Sequence, residues 1–347
     1  MSDFSYALSD YDFNYPPELV ATAPAGDRDG SRLLVVDRKG GSLAHRHFSD
    51  LPHYLREGDC LIINRSRVIP ARLTGKKPTG GKVELLLVKQ ISPGTWTALS
   101  ADLKADLTVE LPEGVTATVK GRDDSGLWVL QFSTSAVEAL LESEGVAPLP
   151  PYILKRRKNT GTAADRPADR ERYQTVYAQE QGSIAAPTAG LHFTPDLLAK
   201  LKGQGVAVAE IILHVGLGTF RPVTADDVRE HPMAAEHFEI PRDAAETIAR
   251  TRLQGGRFVA VGTTAVRTLE TYVRNPEQKS GATSLFITPG HTFRSVDVLV
   301  SNFHQPGSTP ILLASAFVGR ERLLAAYEQA VKEKYRLFSY GDSMLML

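Results

Sequence analysis

Five short segments of this 347-residue chain combine small residues, turn formers and polar groups in patterns that a hydrophobic core does not need. The stretch 185–193 reads AAPTAGLHF. Its small residues and Pro187 let backbone approach a ligand closely. His192 stands just before a helix start at Thr194-Pro195. A helix N-terminus disfavours a charged imidazole, so a neutral His192 is a candidate base, against the plain alternative of a structural histidine in a tight turn. The stretch 214–222, HVGLGTFRP, puts Gly216 and Gly218 directly after a strand, a place where a phosphate or ribose can approach, and His214 opens it. A dinucleotide fingerprint would need a further glycine where Arg221 stands, so that reading is rejected; a pair of hairpin or bulge glycines is the plain alternative.

Three further segments carry polar groups. In 261–270, VGTTAVRTLE, a buried strand runs into Gly262-Thr263-Thr264 and a helix follows. Hydroxyls and free amides at a helix start suit a carboxylate or phosphate, and Arg267, one turn inside, can reach the same anion. An ordinary cap with a surface arginine is the alternative. In 301–309, SNFHQPGST, Asn302, His304, Ser308 and Thr309 crowd one loop. In 335–344, YRLFSYGDSM, aromatic residues alternate with Arg336, Ser339 and Asp342, and an aromatic face can stack a purine. For Phe338 a core-sealing strand is the preferred reading. His231 and His237 are separated by a proline and lack metal-ligand spacing, so no metal site is expected. No serine-hydrolase elbow or P-loop motif occurs.

The elements that must position these groups read as a mixed α/β (α+β) fold. Apolar residues make up 42% of the chain, enough for a sizeable core, and 40 basic residues balance 40 acidic ones, so binding of a polyanion depends on where charge sits. A single cysteine, Cys60, rules out an internal disulfide framework and suits a reducing cytosol; no secretory signal or membrane span is visible. Strands are expected at 32–37 and 60–64. From 72 to about 132, short Val-, Leu- and Thr-rich runs (82–89, 95–100, 116–120, 127–132) separated by turn residues argue for a small β-barrel, followed by a helix over 136–144. The domain expectation is therefore an α/β body, 1–71 and 149–347, carrying an inserted barrel at 72–148. The stretch 152–172, with seven Lys or Arg against three acids and no apolar period, reads as a loop. Beyond it, helices are expected from Thr194-Pro195 to Gly203, at 243–253 and 265–273, with a long helix or a helix pair over 310–335, and strands at 206–214, 258–262, 284–288 and 296–300.

Taken together these segments resemble the S-adenosylmethionine:tRNA ribosyltransferase-isomerases of the queuosine pathway. The resemblance runs almost end to end: SRLLVVDR from Ser31, VIPARL from Val68, GGKVELLL, YQTVYA from Tyr173, APTAGLHF, HVGLGTFRPV, VAVGTTAVRTLE, FITPG, VDVLVSNFHQPGST and FSYGDSML, in the family's order. It implies an α/β body with an inserted barrel. It also implies that S-adenosylmethionine is consumed as a substrate rather than held as a cofactor, its ribosyl part being transferred and isomerised onto the aminomethyl group of a deazaguanine at the tRNA wobble position. Epoxyqueuosine, adenine and methionine result. Cytoplasmic location, a monomer, and tRNA and S-adenosylmethionine as partners without metal or membrane follow as expectations.

On that resemblance His192 is expected as general base or acid, with His214 as second choice and Arg267 beside them. Thr263, Thr264 and Arg267 would hold the methionine carboxylate, Gly216, Gly218 and Thr219 the ribose, and Asn302 and His304 a base. Pro187, Thr188, Ala189, Gly190, Glu236, Tyr340 and Asp342 complete the substrate-binding set, and Lys155, Arg156, Arg157 and Lys158 would grip the tRNA backbone. Two departures stand out: Asn64-Arg65-Ser66-Arg67 where the family usually has Asn-Asp-Thr-Arg, and Met233-Ala234-Ala235-Glu236 where it usually has Met-His-Ser-Glu. They leave open a paralogue acting on another nucleobase, and an RNA binder without catalysis.

Overall fold

The computed structural model describes residues 4–219 and 222–347, the side chain of Thr219 excepted. In chain order the first elements are β1 (Arg32–Val36), β2 (Leu43–His47), β3 (Cys60–Asn64) and β4 (Ser66–Val68). Then come β5 (Arg72–Lys76), β6 (Lys82–Ser92), β7 (Thr95–Leu99), β8 (Thr108–Glu110), β9 (Thr116–Arg122), β10 (Trp128–Phe132) and α1 (Val137–Glu144). The second half holds α2 (Pro151–Asn159), α3 (Pro167–Arg172), β11 (Glu180–Ser183), α4 (Pro195–Gly203), β12 (Ala207–Leu213), β13 (Glu236–Glu239), α5 (Arg242–Leu253), β14 (Phe258–Val261) and α6 (Gly262–Tyr272). It closes with β15 (Ser280–Thr283), β16 (Val298–Asn302), α7 (Thr309–Val318), α8 (Arg320–Lys332) and β17 (Ser343–Met346).

The chain forms two compact units. One comprises Met1–Arg67, Pro150–Ala164 and Gln174–Leu347, the other Val68–Leu149 and Asp165–Tyr173. The first is built on a nine-stranded sheet in the order β15-β13-β12-β3-β14-β16-β17-β1-β2. Strands β12, β3, β14 and β16 run parallel, while β17 is antiparallel to β16 and parallel to β1. Successive side chains of a strand point to opposite faces, and here both faces are covered, so the central strands β3, β14 and β16 are mostly apolar, with Asn64, Ser301 and Asn302 only at carboxyl ends. Cys60, Ile62, Ala260 and Leu299 enter one core with Ala265, Val266 and Leu269 of α6. Leu61, Ile63, Val259, Val261, Val298 and Val300 enter the other with Leu197 and Leu201 of α4. Helix α4 starts as its sequence dictates: Thr194 Oγ1 accepts from Leu197 N at 3.1 Å and Pro195 occupies the first helical position.

The second unit is a closed antiparallel six-stranded barrel, β10-β7-β6-β5-β8-β9, filled by Leu73, Val83, Leu85, Trp96, Val109, Val119 and Leu130. Gly75 permits its closure, because a Cβ there would lie 2.7 Å from Glu110 O on the neighbouring strand. A mixed helix-and-strand fold carrying a barrel is thus what the chain adopts.

Two local expectations are overturned. The stretch 152–172 contains two helices, α2 and α3, rather than a loop. Each begins on a proline, and α2 has Ile153 and Arg157, four residues apart, as its buried face. An arginine in an inward position hides the helical period. The expected strand at 284–288 is not formed; β15 precedes it. The carbonyls of Thr283 and Leu285 accept from the Arg267 guanidinium at 3.3 and 2.9 Å, and this turns the backbone away from ladder pairing. Of the helix or helix pair expected over 310–335, the pair is what forms: α7 and α8 are divided at Gly319, whose φ of 90° lies where L side chains are rare.

Candidate active site

The carboxyl ends of β3, β12, β14 and β16 and the amino ends of β17 and β1 all fall on one edge of the large sheet, as the pairings Ile211↔Asn64, Val261↔Val300, Asn302↔Ser343 and Leu33↔Ser343 require. Ligands of open α/β sheets bind at this edge, because strand-to-helix turns there leave backbone groups free. Four of the five sequence segments emerge from it, and the fifth, 185–193, is packed against it.

The turn Thr188–His192 brings His192 into this edge. Its Nδ1 lies 2.7 Å from Ser31 Oγ, and Asn302 Nδ2 donates to its Nε2 at 3.1 Å. The Phe48 ring stacks on it at 5.0 Å. Burial, reinforced by the charges of Arg336 and Arg28, pushes the imidazole down to about 3. His192 is therefore neutral, as its sequence context predicts, but burial rather than a helix end is the leading cause. The expected role of base does not fit this environment, since both ring nitrogens already have partners.

Ala189 in the same turn packs against the start of α6: a Cβ on Gly262 would sit 3.5 Å from Ala189 Cβ and 3.8 Å from Thr264 Oγ1. Gly262 has φ +84°, and α6 begins without a side-chain cap because the side chain of its N-cap residue, Val261, has no acceptor to offer. Thr264 Oγ1 is buried and has no hydrogen-bond partner. Uncapped amides, the positive end of an 11-residue helix and an unpartnered hydroxyl meet at this point. Thr263 lies half-buried beside them. Gly190 has a different reason to be glycine: a Cβ there would run into the Tyr177 hydroxyl and lie 2.8 Å from Thr175 Cγ2. Both the Tyr177 hydroxyl and Thr175 Oγ1 are buried without partners. Pro187 is buried and Thr188 half-buried in the same turn.

Arg267 is not free to meet a carboxylate, which corrects its expected role. It forms a buried ion pair with Glu236 and also donates to the Leu285 and Thr283 carbonyls. Glu236 Oε1 in turn accepts from Gly216 N at 2.8 Å. The pair thus anchors the glycine loop, and Glu236 acts there through the loop backbone. A Cβ on Gly218 would meet Ala234 Cβ at 3.6 Å, so the departure at Ala234 borders the same loop. The side chain of Thr219 lies outside the described residues. His214 stands at the start of the loop, stacked 5.9 Å from His237, with an unpartnered Nδ1. Burial and then the neighbouring His237 lower its pKa.

Asp342 is also corrected from ligand contact to scaffold. Its two carboxylate oxygens accept from Arg32 N at 3.0 Å and Arg336 N at 2.8 Å, and it is buried, which raises its pKa. Tyr340 is buried beside it in the chain. His304 Nε2 lies 2.8 Å from Ser301 Oγ, its backbone N–H donates to the Tyr327 hydroxyl, and burial pushes the ring down to about 3. The departure Arg65 is directed to Glu180 and Glu210, at 3.4 and 3.8 Å. On α2, Lys155 and Lys158 are exposed and Arg156 half-buried, whereas Arg157 is buried and donates to the carbonyls of Thr22 and Ala164. Arg157 therefore cannot present its guanidinium to a phosphate. Among the described residues no group of His, Cys, Asp and Glu is arranged to hold a metal ion, and no helix is long and apolar enough to cross a membrane.

Ser31, Thr175 and Tyr177 were not singled out as site residues by sequence reasoning. Ser31 and Tyr177 lie inside the motifs SRLLVVDR and YQTVYA, a hydroxyl opening a strand and an aromatic in a polar stretch.

A sheet covered on both faces, with an unpartnered hydroxyl at a strand-to-helix turn, is the architecture of an α/β protein whose strand-end edge can receive a polar ligand. The family model described as "Queuosine biosynthesis protein" matches residues 8–346. The chain belongs to this family. Among its relatives, the S-adenosylmethionine:tRNA ribosyltransferase-isomerase of Thermotoga maritima is 46% identical over 98% of this chain and 99% of its own. The protein of the same name from Moorella thermoacetica is 49% identical over the same shares. The crystal structure of an S-adenosylmethionine tRNA ribosyltransferase from Thermotoga maritima is similar with a TM-score of 0.55 and 36% identity, covering 97% of this chain and 100% of that one.

Proposed function

We propose that this chain is an S-adenosylmethionine:tRNA ribosyltransferase-isomerase. It transfers and isomerises the ribosyl moiety of S-adenosylmethionine onto the aminomethyl group of 7-aminomethyl-7-deazaguanine at the wobble position. Epoxyqueuosine-tRNA, adenine and methionine are the products. The observation that carries this reading is the family match over 8–346, which takes in every motif on the site edge. The protein acts in the cytoplasm as a monomer.

The reaction needs a proton removed from the ribose carbon next to the sulfonium, a neutral amine as nucleophile, and a donor for the departing adenine. The sulfonium itself supplies the acidity and the leaving group, so the reading calls for no resident metal. For the proton transfers we favour His214. Its lowered pKa keeps it unprotonated near neutral pH, and it sits two residues from Gly216. What supports Thr263 and Thr264 as the carboxylate site is the uncapped start of α6 together with the unpartnered Thr264 hydroxyl. Gly216 and Gly218 offer close backbone approach to the ribose, and Lys155, Arg156 and Lys158 offer charge to the tRNA backbone.

A paralogue acting on a different nucleobase is the second reading, favoured by the exposed Ala234 beside Gly218. A catalytically lapsed RNA binder has no use for buried, unpartnered hydroxyls at a helix start. Adenine release from S-adenosylmethionine, assayed with and without deazaguanine-bearing tRNA, separates these readings. Release that depends on that tRNA supports the proposal, and release indifferent to it favours the paralogue. No release and no heat on titration with S-adenosylmethionine would leave the RNA binder.

A further inference from the structure

The amide of Asn302 is held in one orientation by its surroundings. Nδ2 lies 3.3 Å from Phe338 O and 3.5 Å from Asp342 O, and 3.1 Å from His192 Nε2. Two carbonyl oxygens cannot face the amide oxygen, so the nitrogen must point at them. His192 Nε2 must then be an acceptor, and its proton resides on Nδ1, donated to Ser31 Oγ at 2.7 Å. The carbonyls are themselves fixed, because Asp342 ties the 336–342 turn to the backbone N–H groups of Arg336 and Arg32. The outcome is that Asn302 Oδ1 is left buried with no partner, in a residue 1% exposed at the carboxyl end of β16.

A buried amide oxygen without a donor is costly unless a ligand supplies one. We propose that Asn302 Oδ1 accepts a hydrogen bond from an N–H of a substrate nucleobase, and that Ser31 and His192 are positioning residues that hold this oxygen in place. This rests on the function proposed above, and it assigns His192 to orientation rather than proton transfer. Two nucleobase donors take part in that reaction, the 6-amino group of adenine and the N–H groups of the deazaguanine, and either presents the required chemistry.

The test compares His192→Gln and His192→Phe in the full-length protein, with folding checked by thermal melting. Glutamine can place Oε1 where Nε2 stood and accept from Asn302 Nδ2; phenylalanine cannot. Loss of the oriented acceptor is expected to raise KM about tenfold, the effect of one hydrogen bond. His192→Gln should recover most of what His192→Phe loses, with kcat little changed in either. The wild type should also prefer S-adenosylmethionine over its purine analogue lacking the 6-amino group, or else the KM rise of His192→Phe should fall on tRNA instead. The first assigns the donor to adenine and the second to the deazaguanine. If His192→Phe does not fold, Ser31→Ala and the pH profile of His192→Gln decide. A raised KM in Ser31→Ala, and an acid limb of kcat/KM shared by wild type and His192→Gln, support the proposal.

Three results would overturn it: His192→Gln as inactive as a folded His192→Phe, an acid limb abolished by His192→Gln, or unchanged KM for both substrates in Ser31→Ala and His192→Phe. A wild type that releases no adenine and binds no S-adenosylmethionine would instead sink the function on which it rests.

Discussion

Arg267 and Glu236 form an ion pair that is buried on both sides and joins helix α6 to the loop carrying Gly216. The guanidinium also meets two backbone carbonyls and the carboxylate one amide N–H, so the pair is extensively hydrogen-bonded. Removing one partner strands the other charge in the interior, a loss of about 3–5 kcal/mol. Glu236→Leu and Arg267→Met should each destabilise the fold by about that much, and the double variant by clearly less than the sum. Urea titration of the set as a double-mutant cycle checks this. Additive losses would mean the pair does not act as a unit.

Gly190 and Tyr177 make a second testable pair. A methyl group on Gly190 would collide with the Tyr177 hydroxyl, so Gly190→Ala should cost about 1–3 kcal/mol through overpacking. Tyr177→Phe removes a hydroxyl that has no partner and should be close to neutral alone. Combined with Gly190→Ala it should restore part of the stability. Thermal unfolding of the three variants is the check, and absence of any rescue would place the strain elsewhere.

Stability in acid should reflect the buried neutral histidines. His192 and His304 have folded pKa values near 3 against an ordinary 6.5. Below 6.5 the unfolded chain takes up protons that the folded chain does not, so stability falls as pH drops from that value toward 3. His192→Gln should flatten this decline between about pH 6.5 and pH 4, measured by urea midpoints across the range. An unaltered slope would mean the ring is not kept neutral by the fold.

Helix α2 exposes Lys155 and Lys158 and buries Arg157. Lys155→Ala and Lys158→Ala should therefore weaken tRNA binding and reduce its salt dependence, by a slope of roughly 0.7–0.9 for each phosphate no longer neutralised. Arg157→Ala should act on stability instead, since it frees the carbonyls of Thr22 and Ala164. Filter binding at several salt concentrations distinguishes the two effects.

How much of this was legible in the sequence depended on range. The helix start at Thr194-Pro195, the strand before Gly262 and the short barrel strands are local patterns of caps, apolar runs and turn residues, and each could be read directly. Helix α2 was hidden because one of its inward positions is Arg157 rather than an apolar residue. The Ser31–His192–Asn302 chain links residues 161 and 110 positions apart, so no spacing announces it. The same holds for Arg267 and Glu236, whose pairing removed an arginine expected at the ligand. The motifs fall on one edge of the sheet. Which polar groups remain open there was decided by partners remote in sequence.

The central claim is tested most directly by mass spectrometry of tRNA bearing 7-aminomethyl-7-deazaguanine after incubation with this protein and S-adenosylmethionine. Conversion to epoxyqueuosine, with adenine and methionine released in equal amounts, is the predicted result. Intact deazaguanine alongside folded protein and unconsumed S-adenosylmethionine would contradict it.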